Sequence, residues 1–391
     1  MLRAIASGAL SLAVVALALA AGLILWGQHE FTRAGPLTEG ICLRVERGAG
    51  VRDVAESLRD HDAIRTPSVF RLGARQTGQA DRLNFGAYRV PERASMQEIL
   101  DILTRGGAST CGAEVNFRIG VTDAETRVRM LDPASDTFEL IANFAPQDYD
   151  TPSEYEDVAA QPETRFRVTV AEGATSWQIV DALSHAPFLT GTVEAAPEEG
   201  ALAPGSYDIT PQTGRAALIE RMRARQTEIL EAAWQARAEG LPYDTPREAL
   251  IMASIIEKET GVAQERGLVA SVFVNRLQRP MRLQTDPTVI YGITEGRGTL
   301  GRGLRRSELD AVTPYNTYQV DGLPPTPIAN PGRASIEAAL NPAESEYLYF
   351  VADGTGGHAF ARTLEEHNRN VARWRAIEAE RREAAEAAEA D

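Results

Sequence analysis

Between Ala4 and Trp26 the chain runs for 23 residues, mainly Ala, Leu, Val and Ile, without one charged side chain. Such a stretch has few ways to fold. Roughly 20 apolar residues in a helix match the hydrocarbon core of a bilayer, and a helix lets an isolated segment satisfy its own backbone hydrogen bonds in lipid. Arg3 and the α-amino group precede the run, so the positive-inside tendency keeps the N-terminus cytoplasmic and exports the rest. The alternative is a cleaved signal peptide, because Ala18, Leu19 and Ala20 resemble a cleavage site. The run is longer than the usual apolar region of a signal peptide, which favours a retained anchor. The expectation is therefore a stub and transmembrane anchor over residues 1–27, single-pass in the inner (cytoplasmic) membrane, with the remainder periplasmic.

The 391 residues suit two or three domains, and 43% hydrophobic residues are enough to build real cores. A net charge of -15 is repelled by phosphate backbones, so no nucleic-acid partner is expected. Cys42 and Cys111 are the two cysteines. Export permits a disulfide, and the pair brackets one module, so a bridge would clip that module closed; two unpaired thiols are the alternative. Neither cysteine has metal-ligand spacing.

Two stretches share a pattern. Residues 43–58, LRVERGAGVRDVAESL, and 168–183, VTVAEGATSWQIVDAL, each read as a short strand, a glycine turn and an amphipathic helix. Each has a second half: GAYRVPERASMQEILDIL at 86–103 and GSYDITPQTGRAALIERM at 205–222. Gly86, Tyr88 and Val90 match Gly205, Tyr207 and Ile209. The spacing predicts a duplicated β-α module over 40–105 and 165–225. Between the copies, residues 106–164 carry acidic and proline-rich pieces that read largely as insert or linker, with a strand suggested by alternating Val115, Phe117 and Ile119.

The texture changes from about residue 226. A helix through EILEAAWQARAEG is expected to stop at Gly240. A second follows a cap at Asp244 or Thr245 ahead of Pro246 and carries REALIMASIIEKET, and a third holds ERGLVASVFVNRLQR. Turn-rich loops come next: RLQTDPTVIYG, TPYNTY and GLPPTPIANPG. A helix around ASIEAALN, a strand YLYFVA and a charged helical tail over 376–391 complete the chain. The fold class expected is α+β, with a mixed α/β domain over 226–375.

Chemistry concentrates in IMASIIEKETG. Met252, Ile255, Ile256 and Glu259 lie at i, i+3, i+4 and i+7, which puts Glu259 on the apolar face at the helix end. Desolvation raises the pKa of a carboxyl so placed, and a carboxyl protonated near neutrality can serve as a general acid. Glu257 lies about 160° away on the helix; on composition alone, both glutamates can be read as ordinary surface charges. The loops beyond offer Gln284, Thr285, Asp286, Tyr291, Tyr315, Asn316, Thr317, Tyr318 and Asn330. Amides, hydroxyls and aromatic rings on proline-stiffened loops suit a groove for sugar rings, although the same residues are normal turn formers. DGTGGHAF lacks the P-loop lysine, and His358 with His367 is unlike known zinc spacings, so no metal is expected.

These blocks carry a resemblance. From Ala249 to Asn370 the pieces ASIIEKETG, VFVNRL, MRLQTDPTVIYG, PYNTY, GLPP-PIANPG, YLYFVADGTGGH-F and EHN resemble, in order, the MltG/YceG-like endolytic murein transglycosylases. The anchor and the LysM-like modules fit as well. The family's EG-x-x-x-P-x-TY segment stands here as EGALAPGSY, from Glu199 to Tyr207, with Ser206 where threonine is usual. The 106–164 insert departs from shorter members.

The resemblance implies cleavage between N-acetylmuramic acid and N-acetylglucosamine inside a peptidoglycan strand, leaving a 1,6-anhydromuramic end. It places the catalytic glutamate within EKE, at Glu259 by the helical-face argument, with Glu257 as runner-up. From the matched blocks it adds Glu199, Asn275 and His358 to the candidate substrate groove. It implies no metal or organic cofactor, and it implies peptidoglycan synthases (the penicillin-binding proteins) as partners. Two other classes stay open: a water-using muramidase with Asp286 as second carboxylate, and a non-catalytic scaffold that binds peptidoglycan through its paired modules.

Overall fold

The protein is described from a computed structural model covering residues 2–46, 48–84, 86–105, 111–132, 137–146, 151–161, 164–210 and 212–390, with the backbone alone for 2–13, 16 and 384–390. The chain divides into two compact units. The first comprises residues 1–115, 127–142 and 151–165; the second comprises 116–126, 143–150 and 166–391.

The first unit opens with helix α1 (Leu2–Thr32), which runs through the expected anchor. The side chains of the first half of that apolar run lie outside the described residues. Among the described residues no helix is long and apolar enough to cross a membrane. After α1 come β1 (Ile41–Val45), α2 (Val51–Asp60), α3 (Pro67–Gln76), β2 (Gly86–Val90) and α4 (Met96–Thr104). Their core gathers Leu43, Leu58, Phe70, Tyr88, Ile99 and Leu103. Phe31, from the last turn of α1, packs over Gly73, where a Cβ would come within 2.3 Å of the ring. Ser95 caps α4 with Glu98 in a capping box. Cys42 and Cys111 are joined by a disulfide across 69 residues of sequence.

The 106–164 segment supplies β3 (Ala113–Ile119), β4 (Ala124–Asp132), β5 (Thr137–Phe144) and α5 (Ser153–Ala159). Val115, Phe117 and Ile119 alternate along β3, and all three are buried. The strands stand in a sheet of order β5-β4-β3-β6-β7, where β6 is Arg165–Val170 and β7 is Gly205–Ile209.

The repeat is visible in the register. β1 pairs antiparallel with β2, with Leu43 opposite Tyr88 and Val45 opposite Gly86. β6 pairs antiparallel with β7, with Val168 opposite Tyr207 and Val170 opposite Gly205. Gly86 and Gly205 both have positive φ, and so do the turn glycines Gly48 and Gly173, so glycine is needed at the same places in both copies. The second copy continues through α6 (Ser176–Ser184) and α7 (Arg215–Gln235), and it belongs to the same compact unit as everything after it.

α7 crosses residue 226 without a break, because Leu218, Met222, Gln226 and Ile229 bury one continuous face. It ends at Gln235, short of the expected Gly240. Then come α8 (Pro246–Glu259), α9 (Arg266–Gln278), α10 (Asp286–Thr294), α11 (Arg306–Asp310), α12 (Arg333–Leu340), the antiparallel pair β8 (Tyr349–Ala352) and β9 (His358–Ala361), and α13 (Leu364–Ala390). Thr245 is the cap of α8, in a capping box with Glu248. α8 is buried on nearly all sides and packs against α7, α9, α10 and α12. The stretch around DPTVIYG, expected as loop, is α10: Asp286 and Pro287 form a favourable first turn, but nine residues are too few to show helical periodicity in the sequence.

Candidate active site

The site is built where α8 ends. Glu259 is the last residue of α8, and Thr260 leaves the helix in extended conformation. A helix C-terminus disfavours negative charge, and the Glu259 side chain is half-buried as well. Burial pushes its pKa up. The Thr285 hydroxyl, which donates to Oε1, pulls it down; Asp286 pushes it up; His358 and Arg276 pull it down. Burial sets the direction, as a carboxyl that must hold a proton requires.

Thr285 is aimed by its surroundings. Its N–H donates to Thr317 Oγ1 at 3.1 Å, and Thr288 Oγ1 lies 2.9 Å from the same hydroxyl. Gln284, just before it, has φ of 51° and is fixed by its N–H to the Thr317 carbonyl at 3.1 Å. Asp286 opens α10, at the helix end that favours negative charge. It is exposed and accepts from the Tyr318 hydroxyl at 2.7 Å. Two carboxyl groups thus meet from opposite helix ends, one half-buried and one exposed.

Glu257 faces elsewhere. Its Oε2 accepts from the Gly332 N–H at 2.9 Å, and Gly332 is the N-cap of α12. It is therefore an anion at a helix N-terminus, a structural post. Glu172 lies against it, and the Glu172 carboxyl is raised first by burial and then by Glu257. Glu172 also covers Gly332 so closely that a Cβ there would fall 1.9 Å from its Oε1.

Several other candidates are committed to the protein itself. Asn330 is fully buried; its amide donates to Ala174 O at 3.0 Å and Ser176 Oγ at 3.2 Å, and its Oδ1 accepts from Leu202 N–H at 2.8 Å. Glu199 accepts from Ser176 N–H at 2.8 Å and from the Tyr291 hydroxyl at 3.2 Å, and burial raises its pKa. With Thr175 Oγ1 on Gly296 O at 2.5 Å, these bonds sew the second β-α copy to the loops after α10. Asn316 donates to three carbonyls, those of Glu308, Leu309 and Ala311. Asn275 holds the Ser345 and Tyr347 carbonyls, each at 2.9 Å. Tyr315 packs on Tyr291 with ring centroids 5.2 Å apart. His358 is near enough to act on Glu259, and its Nδ1 lies 2.8 Å from Glu265 Oε2. A cavity of about 320 Å³ beside these elements is lined by Lys258 and Pro287, the chain neighbours of Glu259 and Asp286, and by Ile290, Tyr291 and Gly296. Among the described residues no cluster of His, Cys, Asp or Glu could hold a metal ion.

Arg276 is a site residue absent from the sequence expectations. The signal for it is present: Val269, Val272, Phe273 and Arg276 repeat in α9 the i, i+3, i+4, i+7 spacing that singles out Glu259 in α8. Arg276 is buried and electrostatically coupled to Glu259.

This constellation sits in a chain that matches the model of the YceG-like family over residues 43–159 and 148–373. The protein belongs to that family. It is 29% identical over 328 residues to an endolytic murein transglycosylase of Bacillus subtilis, covering 84% of this chain and 82% of that one. It is also 29% identical over 343 residues to an endolytic murein transglycosylase of Streptococcus pneumoniae, covering 85% of this chain and 58% of the longer relative. A solved YceG-like protein of Listeria monocytogenes aligns over 85% of this chain and 98% of its own, at 25% identity and a TM-score of 0.44.

Proposed function

We propose that this protein is an endolytic murein transglycosylase, a peptidoglycan lyase, with Glu259 as its acid. The observation that carries the reading is the half-buried carboxyl at the end of α8, its pKa raised by burial, bonded by Thr285 and faced by Asp286. Protonated Glu259 donates to the glycosidic oxygen, and the bond to the muramic C1 breaks as positive charge develops on that sugar. The muramic C6 hydroxyl attacks C1, and the Glu259 carboxylate takes the C6 hydroxyl proton, which restores the acid. No water is consumed, so a second catalytic carboxylate is not required. Intramolecular attack has a large effective-concentration advantage over capture of water.

The test is product analysis on purified sacculi. Early fragments should be many disaccharides long, lack one water relative to hydrolysis products, and carry muramic ends that resist borohydride. Reducible muramic ends as the main product would reject this chemistry in favour of water attack assisted by Asp286. Release of disaccharides alone at the earliest times would overturn internal cutting.

The same proposal extends to placement. Ala4–Trp26 is a retained single-pass anchor in the inner membrane, which holds the site on the periplasmic face near the membrane-bound peptidoglycan synthases. The uncharged run and the disulfide, a bond of oxidising compartments, support this. The two β-α copies are read as LysM-like modules for glycan. Full-length protein should stay in the membrane pellet after alkaline carbonate extraction. A mature N-terminus near residue 21 would sink the retained anchor.

A further inference from the structure

The reaction asks two opposite things of Glu259: to hold a proton at the start, and to survive as a carboxylate midway. Burial serves the first and opposes the second, because an enclosed charge without a counter-charge is costly. The groups that act on Glu259 come from several elements. Asp286 from α10 disfavours its ionisation, while His358 from β9 and Arg276 from α9 favour it; the Tyr318 phenol from the loop after α11 also faces it. Of these two, the His358 imidazole lies against the Glu265 carboxylate, with Nδ1 2.8 Å from Oε2. Arg276 is spent differently. Its Nε donates to Leu348 O at 2.6 Å, and its Nη1 to Leu283 O at 2.7 Å and, at greater length, to Arg282 O at 3.4 Å. These partners are carbonyls, so the hydrogen bonds fix the guanidinium without neutralising it.

The clamp is also local to the chemistry. Leu283 lies two residues before Thr285, the donor to Glu259, and three before Asp286. Leu348 precedes Tyr349, whose ring has the Arg276 guanidinium 5.3 Å from its centroid and the His367 imidazole stacked at 5.2 Å. Burial and the nearby Arg276 lower the His367 pKa, which keeps a second positive charge away from the guanidinium.

We propose that Arg276 is a positioning residue of this site: it clamps the loop bearing Thr285 and Asp286, and it supplies the counter-charge for Glu259 once that carboxyl has given up its proton. The proposal rests on the assignment of Glu259 as the acid. Burial lowers the Arg276 pKa, and Tyr349, Tyr318 and Glu259 push it back up; the attraction between Arg276 and Glu259 opposes burial on both partners.

The test pairs two variants with two readouts. Full-length protein is labelled with ¹³C at the glutamate carboxyl carbons, and the Glu259 resonance is identified by its loss in Glu259→Gln. In Arg276→Met the Glu259 titration should move to higher pH, and the basic limb of the cleavage profile should move with it, while kcat falls ~10²-fold. In Arg276→Lys, which keeps the charge and loses the fork, the titration should stay near the wild-type position while kcat still falls. An unmoved titration in folded Arg276→Met, whatever its activity, overturns the counter-charge. If Arg276→Met does not fold, a wild-type kcat in Arg276→Lys overturns the clamp, and a titration displaced upward despite the retained charge overturns the counter-charge. The carboxyl titration does not depend on cleavage. A failure of the catalytic assignment, seen as an active Glu259→Gln, is therefore distinguishable from a failure of this one.

Discussion

Glu259→Gln is expected to lower strand cleavage by ~10²–10⁴-fold, the usual worth of a positioned general acid, while leaving the fold intact. The amide oxygen still accepts from Thr285, and the neutral group suits the half-buried end of α8 better than a carboxylate does. What is lost is the transferable proton. Glu257→Gln should do the reverse. It removes the anion at the N-terminus of α12, which costs about 1 kcal/mol of stability, and it leaves cleavage largely in place. The two variants, assayed side by side on sacculi and by urea unfolding, exchange roles if the assignment within the EKE stretch is wrong. The pH dependence has a defined sign. Because burial raises the Glu259 pKa, the protonated acid persists above the ordinary carboxylate range, and cleavage falls as pH rises through that raised value.

The second large effect is on stability. A Cys42→Ser, Cys111→Ser double variant should lose about 4 kcal/mol from the first unit, the loop-closure entropy restored to the unfolded chain when a 69-residue link is opened. Both cysteines lie in the first unit, so the transition that unfolds it should move to lower denaturant. Treatment with reductant should move the same transition in the wild type and nothing in the variant. An unmoved transition under both treatments would show that the bridge adds nothing to the stability of the first unit.

The helical elements of the site were legible because their information is local. Met252, Ile255, Ile256 and Glu259 declare one face of α8, and Thr245 with Glu248 declares its start. The duplicated module was legible for the same reason: glycines at Gly48, Gly86, Gly173 and Gly205 recur where the backbone must take positive φ. α10 was hidden because Asp286–Thr294 is short. The stop of α7 was misplaced because helix ends depend on where burial ceases, and Gly240 marks only where a helix cannot continue.

What the polar residues of the loops do was not legible at all. Asn330, Asn316 and Thr317 look in sequence like Gln284 and Asp286: polar groups among prolines and glycines. In the structure the first three carry hydrogen bonds that hold the scaffold, whereas Gln284 and Asp286 are exposed. A hydrogen bond is a fact about two partners, and these partners lie far apart in the chain: Asn330 with Ala174, Asn275 with Ser345, Arg276 with Leu348. The sequence by itself determined which residues share a helix face and where the chain must turn, because both follow from spacing and from single-residue backbone preferences. Only the tertiary structure decided which glutamate of the EKE stretch meets Thr285 and which caps α12, and that an arginine buried in α9 serves the same site, because hydrogen-bond partners, desolvation and counter-charge are set by neighbours that folding brings together.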